Sequence, residues 1–120
     1  MTQDRQLYSL DKLREIDNAE DFILQVIGIF LDTVPSNMDA LVKACAEKDW
    51  ENVYFFAHKI KSNVILLNID SILEDIRFTE QSAKNKINLE ALPVKINFIE
   101  EVVTKVAMQM KAYLAINNVS

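Results

Sequence analysis

"FILQVIGIFLDTVPSNMDALVKACAEKDWENV", residues 22–53, is the stretch whose reading decides the fold. Within it Ile23, Val26, Phe30, Val34, Met38, Leu41 and Cys45 recur every three or four residues, the interval that stacks side chains along one face of an α-helix. The series runs straight through Pro35. A proline inside a helix removes one backbone donor and crowds the preceding turn, so the pattern predicts one long helix kinked near Thr33 to Pro35, or two nearly coaxial pieces. Gly28 also falls inside it, at a cost of about 1 kcal/mol relative to Ala.

The same period continues on both sides. Upstream, Leu10, Leu13 and Ile16 suggest a short opening helix with Ser9 as its N-cap. Downstream, Asp49 caps a helix carrying Val53, Phe56, Ile60, Val64 and Leu67 on its core face, and Asn68 supplies the left-handed residue that ends it. Asp70 is expected to cap a fourth helix with Ile72, Ile76, Thr79 and Ala83 inward. The polar run "KNKIN" makes the next turn. A final helix from about Asn88 stacks Leu92, Ile96, Ile99, Val103, Val106 and Met110, with Pro93 in or just after its first turn, where a missing donor matters least. Connections this short make successive helices antiparallel neighbours. The predicted fold is all-α: an up-down antiparallel four-helix bundle with a short additional N-terminal helix, one domain over residues 1–120.

Composition agrees with that reading. Half of the 120 residues are hydrophobic and 26% are charged, enough apolar material for a core and enough charge for a solvated surface. The chain has one Gly and two Pro, which argues for long helices and against glycine-rich phosphate cradles. A net charge of −5 with no basic stripe argues against nucleic acid as a partner. The apolar runs are too short to cross a bilayer, and "MTQDRQLYSL" lacks the basic start and apolar run of a signal peptide. With a single cysteine, Cys45, no internal disulfide can form. The sequence therefore predicts a cytoplasmic protein and a monomer.

The only histidine lies in "FFAHKIKSN", residues 55–63. At about 100° per residue the apolar seam of Val53, Phe56, Ile60, Val64 and Leu67 lies opposite His58, so the imidazole is predicted to face outward. Lys61 and Ser62 follow on its side of the helix, Lys59 is adjacent, and Tyr54, Phe55, Ile65 and Leu66 surround it with apolar surface. A solvated histidine on an ordinary helix is the bland explanation. Against it, the surround is more apolar than a solvent face requires, as at docking surfaces, and the lysines can balance an anion attached to the ring.

"AHKIKSN" followed by "VILLNID" resembles the histidine-containing phosphotransfer (HPt) domain, whose motif runs Ala-His-x-(Leu/Ile)-Lys-Gly-(Ser/Ala) with a Leu-Gly pair closing the same helix. The matching residues are Ala57, His58, Ile60, Lys61 and Leu67. "YSLDKLREI" is similar to the family's opening helix, and residues 22–53 are similar to its long second helix, with the mid-helix Pro and the Asp before the histidine helix. Ser62 and Asn68 stand where the family has Gly. Serine keeps the approach to the imidazole small, and Asn tolerates the helix-ending conformation.

The resemblance implies a phosphocarrier and not an enzyme. His58 would accept a phosphoryl group from, or pass it to, an aspartate on a response-regulator receiver domain, and the other partner would be a hybrid sensor histidine kinase. An imidazole suits the task, because its ordinary pKa of about 6.5 leaves it largely unprotonated and nucleophilic near pH 7. Lys61, Lys59 and Ser62 would stabilise phosphoryl oxygens, while Tyr54, Phe55, Ile65 and Leu66 would dock the partner. The chain itself would hold no cofactor or metal, the Mg²⁺ coming from the receiver. The alternative is an adaptor bundle that docks a signalling partner through the same face without carrying phosphate. A di-iron bundle would need inward Glu-x-x-His pairs, and a Ser-His-Asp hydrolase would need loops to shape a pocket. Neither fits one outward histidine. Cys45, Met108 and Met110 are predicted to be core, Trp50 to pack over the bundle end, and Glu74, Asp75 and Glu80 to form a solvated helix face.

Overall fold

Helical periodicity becomes helix over most of the described residues. A computed structural model describes residues 5–117. They form five α-helices: α1 (Asp11–Ile16), α2 (Glu20–Ala46), α3 (Trp50–Leu66), α4 (Leu73–Asn85) and α5 (Leu92–Asn117). Short 3-10 turns at Asp70–Ile72 and Leu89–Ala91 precede α4 and α5. Among the described residues there is no strand. No helix among the described residues is long and apolar enough to cross a membrane.

Most of the predicted seam residues pack inward, but Val26 and Phe56 are only half-buried and Ile16 of α1 is exposed. Ile23, Phe30, Val34, Met38, Leu41 and Cys45 are buried along α2, Ile60 and Val64 along α3, and Leu92, Ile96, Ile99, Val106 and Met110 along α5. In α4, Ile76, Thr79 and Ala83 point inward as expected. α2 packs on α3 and α5, and α4 packs on the same two helices. α2 is a single helix through Pro35. Just before the proline, the Thr33 hydroxyl donates to the Ile29 carbonyl at 2.8 Å, the back-bond that Thr makes inside helices.

The ends depart from expectation in detail. Asp49 does cap α3, its carboxylate accepting the Asn52 N–H at 3.3 Å. Ser9 is not the N-cap of α1: Leu10 holds that place without a side-chain cap, and the Ser9 hydroxyl, one residue earlier, accepts the Asp11 N–H at 3.2 Å. Asp70 likewise makes no side-chain cap; it opens a 3-10 turn, and α4 starts at Leu73. The chain entering α1 and the first turn of α1 also close the far end of α3: the Ser9 N–H donates to the Leu67 carbonyl at 2.9 Å and the Lys12 ammonium to the Ile65 carbonyl at 3.0 Å. Carbonyls at a helix C-terminus lack partners along their own helix and take them from elsewhere.

Three helices stop at a left-handed residue. After α2, Asp49 N–H bonds Ala44 C=O and Lys48 N–H bonds Cys45 C=O; after α3, Ile69 N–H bonds Val64 C=O and Asn68 N–H bonds Ile65 C=O. After α4, both Lys86 and Ile87 donate to Ser82 C=O. The first two pairs are the Schellman arrangement, whereas α4 has the 5→1 bond of the simpler αL motif beside a 6→1 bond; in both the pivot is left-handed and usually Gly. Here the pivots are Lys48 (φ 56°), Asn68 (φ 49°) and Lys86 (φ 56°). The one glycine, Gly28, stands instead in mid-helix, where an added Cβ would meet nothing within 4 Å. Exchanging the two roles should stabilise the fold. Gly28→Ala combined with Lys86→Gly is expected to raise the unfolding free energy by about 1–2 kcal/mol in urea denaturation; an unchanged midpoint would mean that Lys86 carries no left-handed strain.

Candidate functional site

His58 sits at the middle of α3, where capping by Asp49 and the burial of Val53, Ala57, Ile60 and Val64 fix the rotation of the helix. That rotation turns the imidazole outward, and its side chain is 56% exposed. The Tyr54 ring, one turn earlier, stacks beside it with centroids 6.0 Å apart and planes 24° from parallel.

The ring is held from below by a residue whose place differs from the sequence expectation. Glu80 is not part of a solvated face: its side chain is only 4% exposed, beneath the imidazole. His58 Nδ1 bonds to Glu80 Oε2, and the Lys61 ammonium donates to Glu80 Oε1 at 2.6 Å. The position was readable. Glu80 lies four residues after Ile76 and three before Ala83, both inward, so it belongs to the apolar stripe of α4. A carboxylate in such a stripe requires partners. His58 and Lys61, one turn apart on α3, supply both. Glu74 and Asp75 behave as surface acids: Glu74 pairs with Arg77 at 2.9 Å and Asp75 with Lys95 at 3.1 Å.

Protonation follows from the pairing. Burial alone pushes the Glu80 carboxyl up, but hydrogen bonds from Lys61 and His58, with their charges, outweigh it and hold the group below the usual carboxylate value. An ionised carboxylate only accepts hydrogen bonds. The bonded Nδ1 of a neutral His58 therefore carries the proton, and Nε2 keeps its lone pair. With the folded carboxyl lowered, its ionised form stabilises the protein above the unfolded value, about pH 4.3, and that contribution fades as pH falls through the lower folded value. The stability advantage of wild type over Glu80→Gln should accordingly shrink as pH falls below about 4.3. Urea titrations of both proteins across that range test it, and a pH-independent difference would contradict it.

The other predicted residues divide. Lys61 stands beside His58 but is engaged with Glu80, and its side chain is 24% exposed. Lys59 is exposed, its ammonium 5.1 Å from the centroid of the Phe55 ring, a cation–π contact. Ser62 is exposed on the histidine side, its hydroxyl directed at the His58 carbonyl at a marginal 3.5 Å. Phe55 and Ile65 are exposed. Tyr54 and Leu66 are half-buried against the core, which leaves Leu66 mainly a packing residue. Cys45 and Met110 are buried as predicted, whereas Met108 is exposed. Trp50 packs partly against the core at the first turn of α3. Among the described residues, no three of His, Cys, Asp or Glu converge on a possible metal position.

Comparison of the chain with protein-family models, with curated proteins and with solved structures finds no match.

Proposed function

We propose that this chain is a phosphocarrier of a two-component phosphorelay, an HPt-like up-down antiparallel four-helix bundle acting in the cytoplasm. On this reading His58 takes a phosphoryl group from, or gives it to, a receiver-domain aspartate. The observation that carries the reading is the pairing of a half-exposed imidazole with a buried carboxylate.

That pairing suits the chemistry. The Nε2 lone pair attacks the phosphorus of the receiver's aspartyl phosphate. As the N–P bond forms, the P–O bond to the aspartate breaks and the aspartate leaves with the electron pair. No proton has to move: the imidazole keeps its Nδ1 proton and becomes a cation when Nε2 is phosphorylated. Glu80 already lies where that positive charge develops, so it stabilises the transition more than the neutral ground state. Mg²⁺ on the receiver offsets phosphoryl charge. Lys59 and Ser62 border the exposed edge, and Lys61 reaches a phosphoryl oxygen by leaving Glu80. Phe55 and Ile65, with the Tyr54 edge, give the receiver an apolar landing surface around the nucleophile.

The test is a transfer assay. The protein is mixed with receiver domains carrying labelled aspartyl phosphate and Mg²⁺. Label should pass to this chain as an acid-labile, base-stable adduct. Binding of a receiver without any transfer would replace the carrier reading with the adaptor, and an acid-stable adduct would move the acceptor away from histidine.

A further inference from the structure

The outer face of α5 has no partner within the described chain. Val94, Phe98, Glu101, Lys105, Met108 and Ala112 recur at alternating spacings of four and three, the heptad interval of helices that pack as knobs into holes. All six are exposed, Val94 at 76% and Met108 at 66%. The stripe covers about 27 Å of helix at 1.5 Å per residue. It is apolar at both ends and charged only at its centre. Among the described residues, neither Glu101 nor Lys105 forms an ion pair, although they lie one turn apart on one helix.

The order of these residues is self-complementary. Val94 and Ala112, Phe98 and Met108, and Glu101 and Lys105 are each placed symmetrically about Val103. In an antiparallel pair of α5 helices related by a two-fold axis at that level, each residue meets its counterpart. Phe98 packs on the partner's Met108, and Glu101 pairs with the partner's Lys105, twice over. A parallel pair would instead set Glu101 against Glu101 and Lys105 against Lys105. Opposite charges inside an apolar seam fix register and direction at some cost in strength.

We infer that a second copy of this chain covers the outer face of α5, giving an antiparallel two-fold dimer in place of the monomer expected from sequence. The contact is isologous and closes on itself. One helix from each subunit makes a small interface, so the dimer is weak and concentration-dependent. His58 is carried by α3, which packs on α2 and α4, and both phosphoacceptors stay open to receivers.

Sedimentation equilibrium on the full chain tests this directly. Wild type should pass from one chain to two between about 1 μM and 1 mM, the range of a weak interface. Glu101→Lys and Lys105→Glu, each alone, should weaken self-association at least about tenfold by facing like charges twice. An equimolar mixture of the two variants should dimerise again, and so should the double variant. Both positions are exposed, and circular dichroism checks that each variant is folded. A wild type that remains single-chain throughout the range overturns the inference. So does a dimer indifferent to both charge reversals, or a double variant that fails to recover.

Discussion

Replacing His58 with Gln is expected to remove phosphoryl transfer altogether while leaving the fold and receiver binding in place. The side-chain amide of Gln can donate to Glu80 as Nδ1–H does, so the buried carboxylate keeps both of its partners, the other being Lys61 at 2.6 Å. What Gln lacks is a nucleophilic lone pair, because the amide nitrogen's electrons are delocalised into the carbonyl. The imidazole is more than half exposed, and exchanging it away from the core should shift stability by no more than about 1 kcal/mol. Label on the variant should therefore be at background, with an unfolding midpoint close to wild type and unchanged capture by the receiver. Equal labelling of wild type and variant would place the acceptor on another residue and end the phosphocarrier proposal. Loss of both folding and labelling is guarded against by the denaturation curve measured on the same sample.

The residues that the sequence places correctly are those whose position and chemical type agree. Ile23, Phe30, Leu41, Ile60, Ile76 and Ile99 are apolar and fall on the helical period, and all are fully buried. His58 is polar and lies opposite its seam, and it is exposed. The misplacements occur where type and position disagree. Charge alone sends Glu80 outward, although Ile76 and Ala83 mark its side of α4 as inward. Apolar type alone sends Met108 inward. Yet it lies two residues from buried Met110, about 200° around the helix, so both cannot face the same core. In each case the period is the better guide. Leu66 differs again, since it occupies the margin between two faces, where periodicity does not choose between them. Nor does any residue pattern announce the 3-10 turn at Asp70–Ile72; there the backbone's hydrogen-bond choice decides, and Asp suits either geometry.

Among these residues Glu80 separates function from stability most sharply. Glu80→Leu is expected to slow phosphoryl transfer by up to about 10⁴-fold, the loss seen when the carboxylate orienting a catalytic histidine is removed. Two effects combine: Nδ1 and Nε2 then compete for the proton, and nothing offsets the charge that develops on the ring. Stability should move little, because an apolar side chain of similar size in a buried position compares well with a desolvated ion pair. The released Lys61 is already 24% exposed and can carry its ammonium to water on a flexible stem. The unfolding free energy is thus expected within about 1 kcal/mol of wild type, or above it. Glu80→Gln should lose rate over a similar range, since its amide accepts from Nδ1–H or donates to Nδ1 and no longer selects one tautomer. The measurement is single-turnover transfer from a phosphorylated receiver, alongside urea denaturation of the same samples. Wild-type rates in both variants would make the carboxylate a packing element and remove the chemical reason for holding a lone histidine against it.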